Sequence, residues 1–419
     1  MTIRLKNGDI LKIKKCRLCH SSEIKKVIDL DFHPLADTFL EKEDQLGAET
    51  FYPLQLGLCK NCGHVFTLFA IPPEDRYQKH DYSYDSSNSI ISVQHFQNFC
   101  ETVLAEVPVQ KDSLIVDIGG NVGTLLSQFK ENGFTNVLNI EPSKNISKIA
   151  VTNGIPTFNG FFNKESSNYI SENFDRKVDI LLSSNVVNHA DNMHDLIQSA
   201  KNILSAEGVF IFEAPYLMDL IQKTSFDTIY HEHVHYYGVK PLVEFLKKYG
   251  FSIFKIEKID YMCGSIRVFA SLKKPQSSFV SQMIETENEF GLYNIKTYQK
   301  FSSRVQMMKI SLNSYLWEVR KKGGKIVGIG AATKGNTLLN YCKLDSDIIS
   351  FVSDVSELKI GKFTPGSHIQ IISDAAIDDS FTHALILPWN IADEVSSQLL
   401  GLSTKGTQFV TAVPALEIL

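Results

Sequence analysis

Through the middle of the chain, short apolar runs alternate with stretches whose apolar residues recur every three to four positions. The runs at 114–117, 137–141, 179–183 and 208–213 read as strands, and 93–106, 124–132 and 193–204 carry the helical repeat. Strands alternating with helices predict a mainly parallel sheet covered by helices on both faces. Residues 278–322 are amphipathic and free of proline, which predicts one or two connecting helices. A second alternation begins at 324–330, with further strands expected at 348–353 and 383–387. The N-terminal part has a different texture, and a polar, tyrosine-rich segment at 76–89 separates it from the first alternation. That segment is expected to be a loop leading into a helix. The division that follows is an α/β chain of three units: a small module over 1–75, an α/β unit over 76–277, and connecting helices with a second α/β unit over 278–419.

Composition narrows the class. The 419 residues are 43% hydrophobic and 21% charged, which suits a folded chain and excludes wholesale disorder. A net charge of -5 argues against a nucleic-acid partner. No apolar run approaches the roughly 18 residues of a membrane helix. Residues 1–6 carry no apolar signal core, so a cytoplasmic protein without a membrane partner is expected. In a reducing compartment its seven cysteines are metal ligands or buried thiols rather than disulfides. The aromatics at 66–69, Phe96 and Phe99 read as core, and the basic run 320–325 as a solvated helix end.

Four cysteines form two pairs, Cys16-Arg-Leu-Cys19 and Cys59-Lys-Asn-Cys62, with 39 residues between them. Such knuckles supply four thiolates to one tetrahedral zinc, and Gly63 suits the turn after the second. Four soft ligands leave no open position for water, so the site is expected to be structural. An iron–sulfur cluster and a redox pair are the alternatives.

Asp117-Ile-Gly-Gly-Asn-Val-Gly123 follows a predicted strand and opens a helix. Glu141 ends the next strand 24 residues on, where an acidic side chain can hold ribose hydroxyls. The two readings are a nucleoside cofactor in the first crevice and a glycine turn without a ligand. A dinucleotide loop has the order G-x-G-x-x-G, whereas Asn121 stands here at the middle glycine position. The loop resembles the S-adenosylmethionine loop of class I methyltransferases more closely. Asp117, Gly119, Asn121, Gly123, Glu141 and Asn185 form the expected cofactor set.

The most unusual stretch is 227–237, which holds three of the twelve histidines and three tyrosines. Three readings stay open. His231, His233 and His235 alternate, and on a strand they would share a face fit for a metal. The same groups can abstract a proton and hold an oxyanion. The third reading is a hydrogen-bonded polar loop. Asn188 and His189 add another imidazole near the same sheet edge.

The chain resembles the nucleotide-sugar C-methyltransferases of deoxysugar biosynthesis over nearly its whole length, from Cys16 to about Glu394. Its signatures are the cysteine pairs with Gly63; His33-Pro-Leu-Ala-Asp37; Tyr82-Ser-Tyr84-Asp-Ser-Ser87; and Ser225-Phe-Asp-Thr-Ile-Tyr230-His-Glu232-His233. Gly330-Ala-Ala-Thr-Lys334-Gly, Lys362-Phe-Thr-Pro-Gly366 and Trp389-Asn390 complete the set. The resemblance implies a zinc module, a class I methyltransferase Rossmann-like domain and a second Rossmann-like C-terminal domain. It implies S-adenosylmethionine-dependent methylation of a carbon beside the ketone of a nucleotide-linked 4-keto-deoxysugar. It implies His233 as the base, with Tyr230, Glu232, Tyr84 and His189 as further active-site residues. The loop departs from the family by its extra histidines, His231 and His235.

At 328–335 a strand turns into a helix whose N-terminus suits a phosphate, and Lys334 adds a point charge. Gly330, Lys334, Asp354 and Asn390 form the expected site for the substrate's diphosphate-nucleotide end, the alternative being a structural turn. O- or N-methylation of the same substrate class, or a nucleotide-sugar binding protein with a dead site, are the competing functions. A monomer or weak homo-oligomer is expected.

Overall fold

A computed structural model describes residues 2–5, 8–44, 47–78, 82–403 and 406–419. Met1 and Lys6 of the N-terminal segment and residues 79–81 of the polar segment lie outside the described residues. Among the described residues no helix is long and apolar enough to cross a membrane.

The central sheet has seven strands. Their spatial order is Ser252–Ile259, Ser265–Ser271, Leu204–Pro215, Val178–Ser184, Ile115–Ile118, Val137–Glu141 and Thr157–Asn159. Five are parallel, and the hairpin of the first two joins antiparallel through Leu204–Pro215. Ile115–Ile118 and Val137–Glu141 are buried on both faces, their polar residues Asp117, Asn139 and Glu141 included. The strand order reverses at Ile115–Ile118, where the next connections run to opposite sides. The loops at 119–123 and 185–189 therefore border a crevice beyond the strands' carboxyl ends.

A smaller sheet of six strands lies in the C-terminal unit. Its order is Ile371–Ser373, Phe351–Asp354, Ile326–Ile329, His383–Ile386, Gln408–Thr411 and Glu417–Ile418. Its own switch point lies between Ile326–Ile329 and His383–Ile386, which opens a crevice between Gly330 and Trp389. The strand expected at 348–353 begins only at Phe351, because Ile348 and Ile349 close the preceding turn with bonds to the Asp345 carbonyl. The connecting segment is two helices, Ser278–Phe290 and Ile295–Lys321. The second buries Tyr298, Phe301, Val305, Met308, Leu312, Leu316 and Val319, one stripe at helical spacing.

The N-terminal module is not self-contained. Its antiparallel sheet runs Ile24–His33, Tyr52–Cys59, Val65–Thr67 and then His235–Tyr236, a strand lent by the central unit. The histidine-rich segment is thus clamped between two units. That also corrects the expectation of alternation: residues 230–234 form a turn, and only His235 and Tyr236 are extended.

Candidate active site

The four cysteine sulfurs converge. All lie within 4.8 Å of one another, with Cys16 and Cys62 at 3.6 Å and Cys19 and Cys59 at 3.5 Å. Zinc–sulfur bonds of about 2.3 Å in a tetrahedron put neighbouring sulfurs about 3.8 Å apart, so the donor set fits zinc. Asn61 Nδ2 donates to Cys19 Sγ at 3.6 Å, an outer bond that steadies the ligand. Gly63 has φ 82°, and a Cβ there would meet the Tyr293 ring at 2.4 Å.

The loop after Ile115–Ile118 is a cradle. Gly119, Asn121 and Gly123 all have positive φ, at 64°, 53° and 86°. Asn121 occupies the left-handed conformation that a non-glycine residue rarely takes, and its side chain compensates through local bonds. Asn121 Oδ1 accepts from the Ser86 amide at 3.0 Å, and its Nδ2 donates to the Tyr84 carbonyl at 3.0 Å. A Cβ on Gly120 would stand 2.6 Å from both Asp117 Oδ2 and Asn139 Oδ1, so only glycine lets the loop close there. Glu141 accepts from the amides of Asn121 at 3.2 Å and Ser143 at 2.8 Å. Each carboxylate oxygen keeps a lone pair for a ribose hydroxyl. Asp117 Oδ1 and Asn185 Oδ1 are buried and unpartnered. Burial, then the charges of Glu141 and Glu213, push Asp117 up to about 8, and burial pushes Glu141 up to about 7. Open acceptors and strained carboxyls at a switch-point crevice suit a nucleoside with hydroxyl and cationic groups.

Beyond the crevice the reactive side chains meet in a buried cluster. His233 Nδ1 lies 2.9 Å from the Thr228 carbonyl, so that nitrogen carries the proton. Its Nε2 then carries the lone pair and accepts the Tyr230 hydroxyl at 2.8 Å, a bond that has to open before this nitrogen takes a proton. Burial holds His233 down at about 4, which keeps it neutral at physiological pH. The His189 ring stands edge-on to it, centroids 4.8 Å apart. His189 Nδ1 lies 2.6 Å from the Tyr77 hydroxyl. Glu232 Oε2 is buried and unpartnered, and burial, then the Asp37 carboxyl, push Glu232 up to about 7. The three alternating imidazoles diverge. His231 packs edge-on to Tyr52, His233 faces Tyr230, and His235 Nδ1 bonds His64 Nε2 at 2.8 Å. That divergence removes the shared face a metal would need.

Tyr84 lies on the cofactor side, its carbonyl bonded to Asn121 Nδ2 and its ring near Tyr261 and Ser92, which bond each other at 3.2 Å. A cavity of about 300 Å³ adjoins them, lined by Ser92, Lys223, Tyr261, Cys263, Trp389 and Asn390. It lies between the central and C-terminal units. Lys334 Nζ bonds Asn390 Oδ1, lies 3.4 Å from Cys263 Sγ and sits 4.6 Å from the Trp389 ring centre. The C-terminal crevice therefore adjoins the 260–263 loop of the central unit. Gly330 keeps φ 79°, but its amide is taken by the Ser353 carbonyl at 2.8 Å. It shapes the turn and offers no donor. Asp354 accepts the Ser356 amide at 2.8 Å and faces Lys359 at 3.6 Å.

Comparison with known proteins covers all three units. A C-methyltransferase C-terminal domain family matches residues 260–414, a zinc binding domain family residues 16–77, and a methyltransferase domain family residues 93–256. The C-methyltransferase NovU of Streptomyces niveus is 28% identical over 416 residues, which cover 98% of this chain and 98% of that one. In chain order the three matches run from residue 16 to 414 and give this chain the domain layout of a C-methyltransferase.

It is accordingly an S-adenosylmethionine-dependent methyltransferase that also binds zinc. Among solved structures, magnesium protoporphyrin IX methyltransferase from Synechocystis PCC 6803 with bound SAH aligns at a TM-score of 0.35 and 14% identity, over 45% of this chain and 89% of that one. An S-adenosylmethionine-dependent methyltransferase from Clostridium acetobutylicum aligns at 0.34 and 14%, over 43% of this chain and 92% of that one.

Several residues of this C-methyltransferase escape a reading of sequence. Asp37 Oδ1 accepts the Ser83 hydroxyl at 2.9 Å and the Thr333 hydroxyl at 2.8 Å, so one carboxyl joins all three units. Its Oδ2 is buried without a partner. Arg17, Arg76, Tyr77 and Asp191 also border the cluster. The available signals were Asp37 closing a signature motif, Arg17 lying between two ligands, and Tyr77 opening the tyrosine-rich segment.

Proposed function

We propose that this C-methyltransferase methylates a nucleotide-diphosphate-linked 4-keto-deoxysugar at a carbon next to the ketone. The observation that carries the reading is the pinned imidazole of His233, neutral, buried and presenting Nε2 to the cluster. A ketone acidifies the neighbouring C–H, and His233 Nε2 takes that proton as general base. The enolate oxygen that results needs donors in a water-poor site, and the Tyr230 hydroxyl and His189 ring N–H are at hand. Glu232 orients the substrate from the opposite side of the turn. S-adenosylmethionine, held by the 119–123 loop, Asp117, Glu141 and Asn185, supplies the electrophilic methyl group. Tyr84 borders that loop and aligns the two ligands.

The units divide the work in this reading. The module over 1–75 is a zinc-held scaffold, 76–277 holds the cofactor and the base, and 278–419 holds the substrate's nucleotide end. Lys334 and Asn390 meet the diphosphate, Gly330 forms the turn, and Asp354 reaches a ribose. The protein works in the cytoplasm as a monomer or weak homo-oligomer. Supplying methyl-labelled S-adenosylmethionine with a panel of nucleotide-linked 4-keto sugars tests the reading. Label on a ring carbon, located by NMR, supports it, and label on oxygen or nitrogen refutes it.

A further inference from the structure

The side chain of Arg76 is completely buried, in the helix Pro73–Tyr77 that leaves the zinc module. Its guanidinium is a planar fork, and each arm has a target. Nε donates to the Ile71 carbonyl at 3.2 Å. Nη1 donates to the carbonyls of His189 at 3.3 Å and Glu232 at 3.4 Å. Nη2 pairs with Asp191 Oδ2. One side chain thus grips the main chain at two members of the reactive cluster, on loops far apart in sequence. Asn188 ties the same loops from the other side, its carbonyl accepting the amides of Val234 at 2.8 Å and His235 at 3.0 Å. Arg76 adds a second tie between the same two loops.

Asp191 is shared. Arg17 Nη1 donates to its Oδ1 at 3.3 Å and to its carbonyl at 3.2 Å. Arg17 lies inside the first cysteine knuckle, between Cys16 and Cys19. A buried guanidinium needs a counter-charge to offset desolvation, and Asp191 is the carboxylate within ion-pair distance of both arginines. A continuous chain therefore runs from the cysteine cluster to the reacting groups: knuckle, Arg17, Asp191, Arg76, then the His189 and Glu232 main chain. Here the fork lands on the backbone of the residues whose separation decides whether a sugar sits between them.

We propose that Arg76 is a positioning residue for proton abstraction, anchored to the cysteine knuckle through Asp191 and Arg17. The inference rests on the proposed chemistry at His233, Glu232 and His189. Lysine cannot replace it, since an ammonium is a point charge without the fork.

The test uses the zinc-loaded enzyme and the isosteric variant Asp191→Asn, with its melting temperature read beside its kinetics because the change leaves Arg17 and Arg76 without their shared carboxylate. Arg17→Gln, the double variant and Arg76→Lys accompany it. Solvent deuterium exchange beside the ketone, kcat, substrate KM, S-adenosylmethionine Kd and zinc content are read together. Asp191→Asn should slow exchange and kcat together by about 10- to 100-fold, the effect of a small misplacement, with KM, Kd and zinc within about twofold. Arg17→Gln should do the same more weakly. The double variant should be no worse than Asp191→Asn, because both act through one chain. Arg76→Lys should fold and share the kcat defect. Unchanged exchange and kcat in Asp191→Asn, or a loss that follows KM and Kd instead, overturns the inference while leaving the reaction intact. A wild-type enzyme that neither exchanges nor methylates any 4-keto sugar overturns the functional reading and this inference with it.

Discussion

The rings of His189 and His233 meet edge to face, 83° apart in plane, although they come from loops on either side of the strand Leu204–Pro215. Each has its far nitrogen engaged: Tyr77 bonds His189 Nδ1, and the Thr228 carbonyl bonds His233 Nδ1. Two neutral imidazoles with fixed rotation can hold opposite roles, one taking a proton and the other giving a hydrogen bond.

Tyr77→Phe removes the bond that fixes His189. A net hydrogen bond of this kind is worth about 0.5–1.5 kcal/mol, so kcat should fall roughly threefold to tenfold with S-adenosylmethionine affinity unchanged. Steady-state kinetics beside calorimetry checks this. A wild-type kcat would leave His189 without a role in the reaction.

Cofactor affinity should depend on pH. Asp117 and Glu141 sit at about 8 and about 7 in the free protein, mainly through burial. Hydroxyl and cationic groups of the cofactor favour the carboxylate forms, so binding lowers both values and releases protons. Affinity for S-adenosylmethionine should therefore rise with pH until both carboxyls are ionised, and level off above about pH 8. Glu141→Gln should remove the lower part of the slope. Calorimetry in buffers of different ionisation enthalpy measures the proton count, and uptake instead of release would contradict the assignment.

Removing the metal should strike folding first. Purified protein should hold about one zinc per chain, and Cys16→Ser or a strong chelator should lower the melting temperature and expose thiols. Elemental analysis and calorimetry together test this. A metal-free protein of equal stability would rule out a structural site.

Lys334→Ala should raise the substrate KM about tenfold or more, from loss of a charge-assisted bond worth about 1.5–3 kcal/mol. The S-adenosylmethionine Kd should stay within twofold. Since Lys334 touches Cys263, that second readout separates loss of a phosphate contact from disturbance of the neighbouring unit. Equal loss in both constants would place the substrate elsewhere.

Local chemistry was legible in the chain where neighbours in sequence are neighbours in space. The run 137–141 is the strand Val137–Glu141, the cysteine pairs face each other, and Gly119, Asn121 and Gly123 take the left-handed backbone their loop demands. The histidine-rich stretch was harder. Alternation suggested a shared face, but the 3-10 helix Phe226–Thr228 and the following turn send each imidazole to a different neighbour. Asp37, Arg76 and Asp191 left no periodic mark, because their meaning comes from contacts between units rather than from spacing within one. Exposed-looking polar segments hid buried charges for the same reason: Arg76 opens the tyrosine-rich stretch, yet its side chain is wholly enclosed.

The most direct test of the central claim is proton exchange by His233→Ala in deuterated water, with a nucleotide-linked 4-keto-deoxysugar that the wild type methylates. The wild type should incorporate deuterium beside the ketone, and the variant should lose exchange and kcat together by about 10²–10⁴-fold while still binding S-adenosylmethionine. Exchange and methylation at near-normal rates in His233→Ala, with loss in Glu232→Gln instead, would contradict the account.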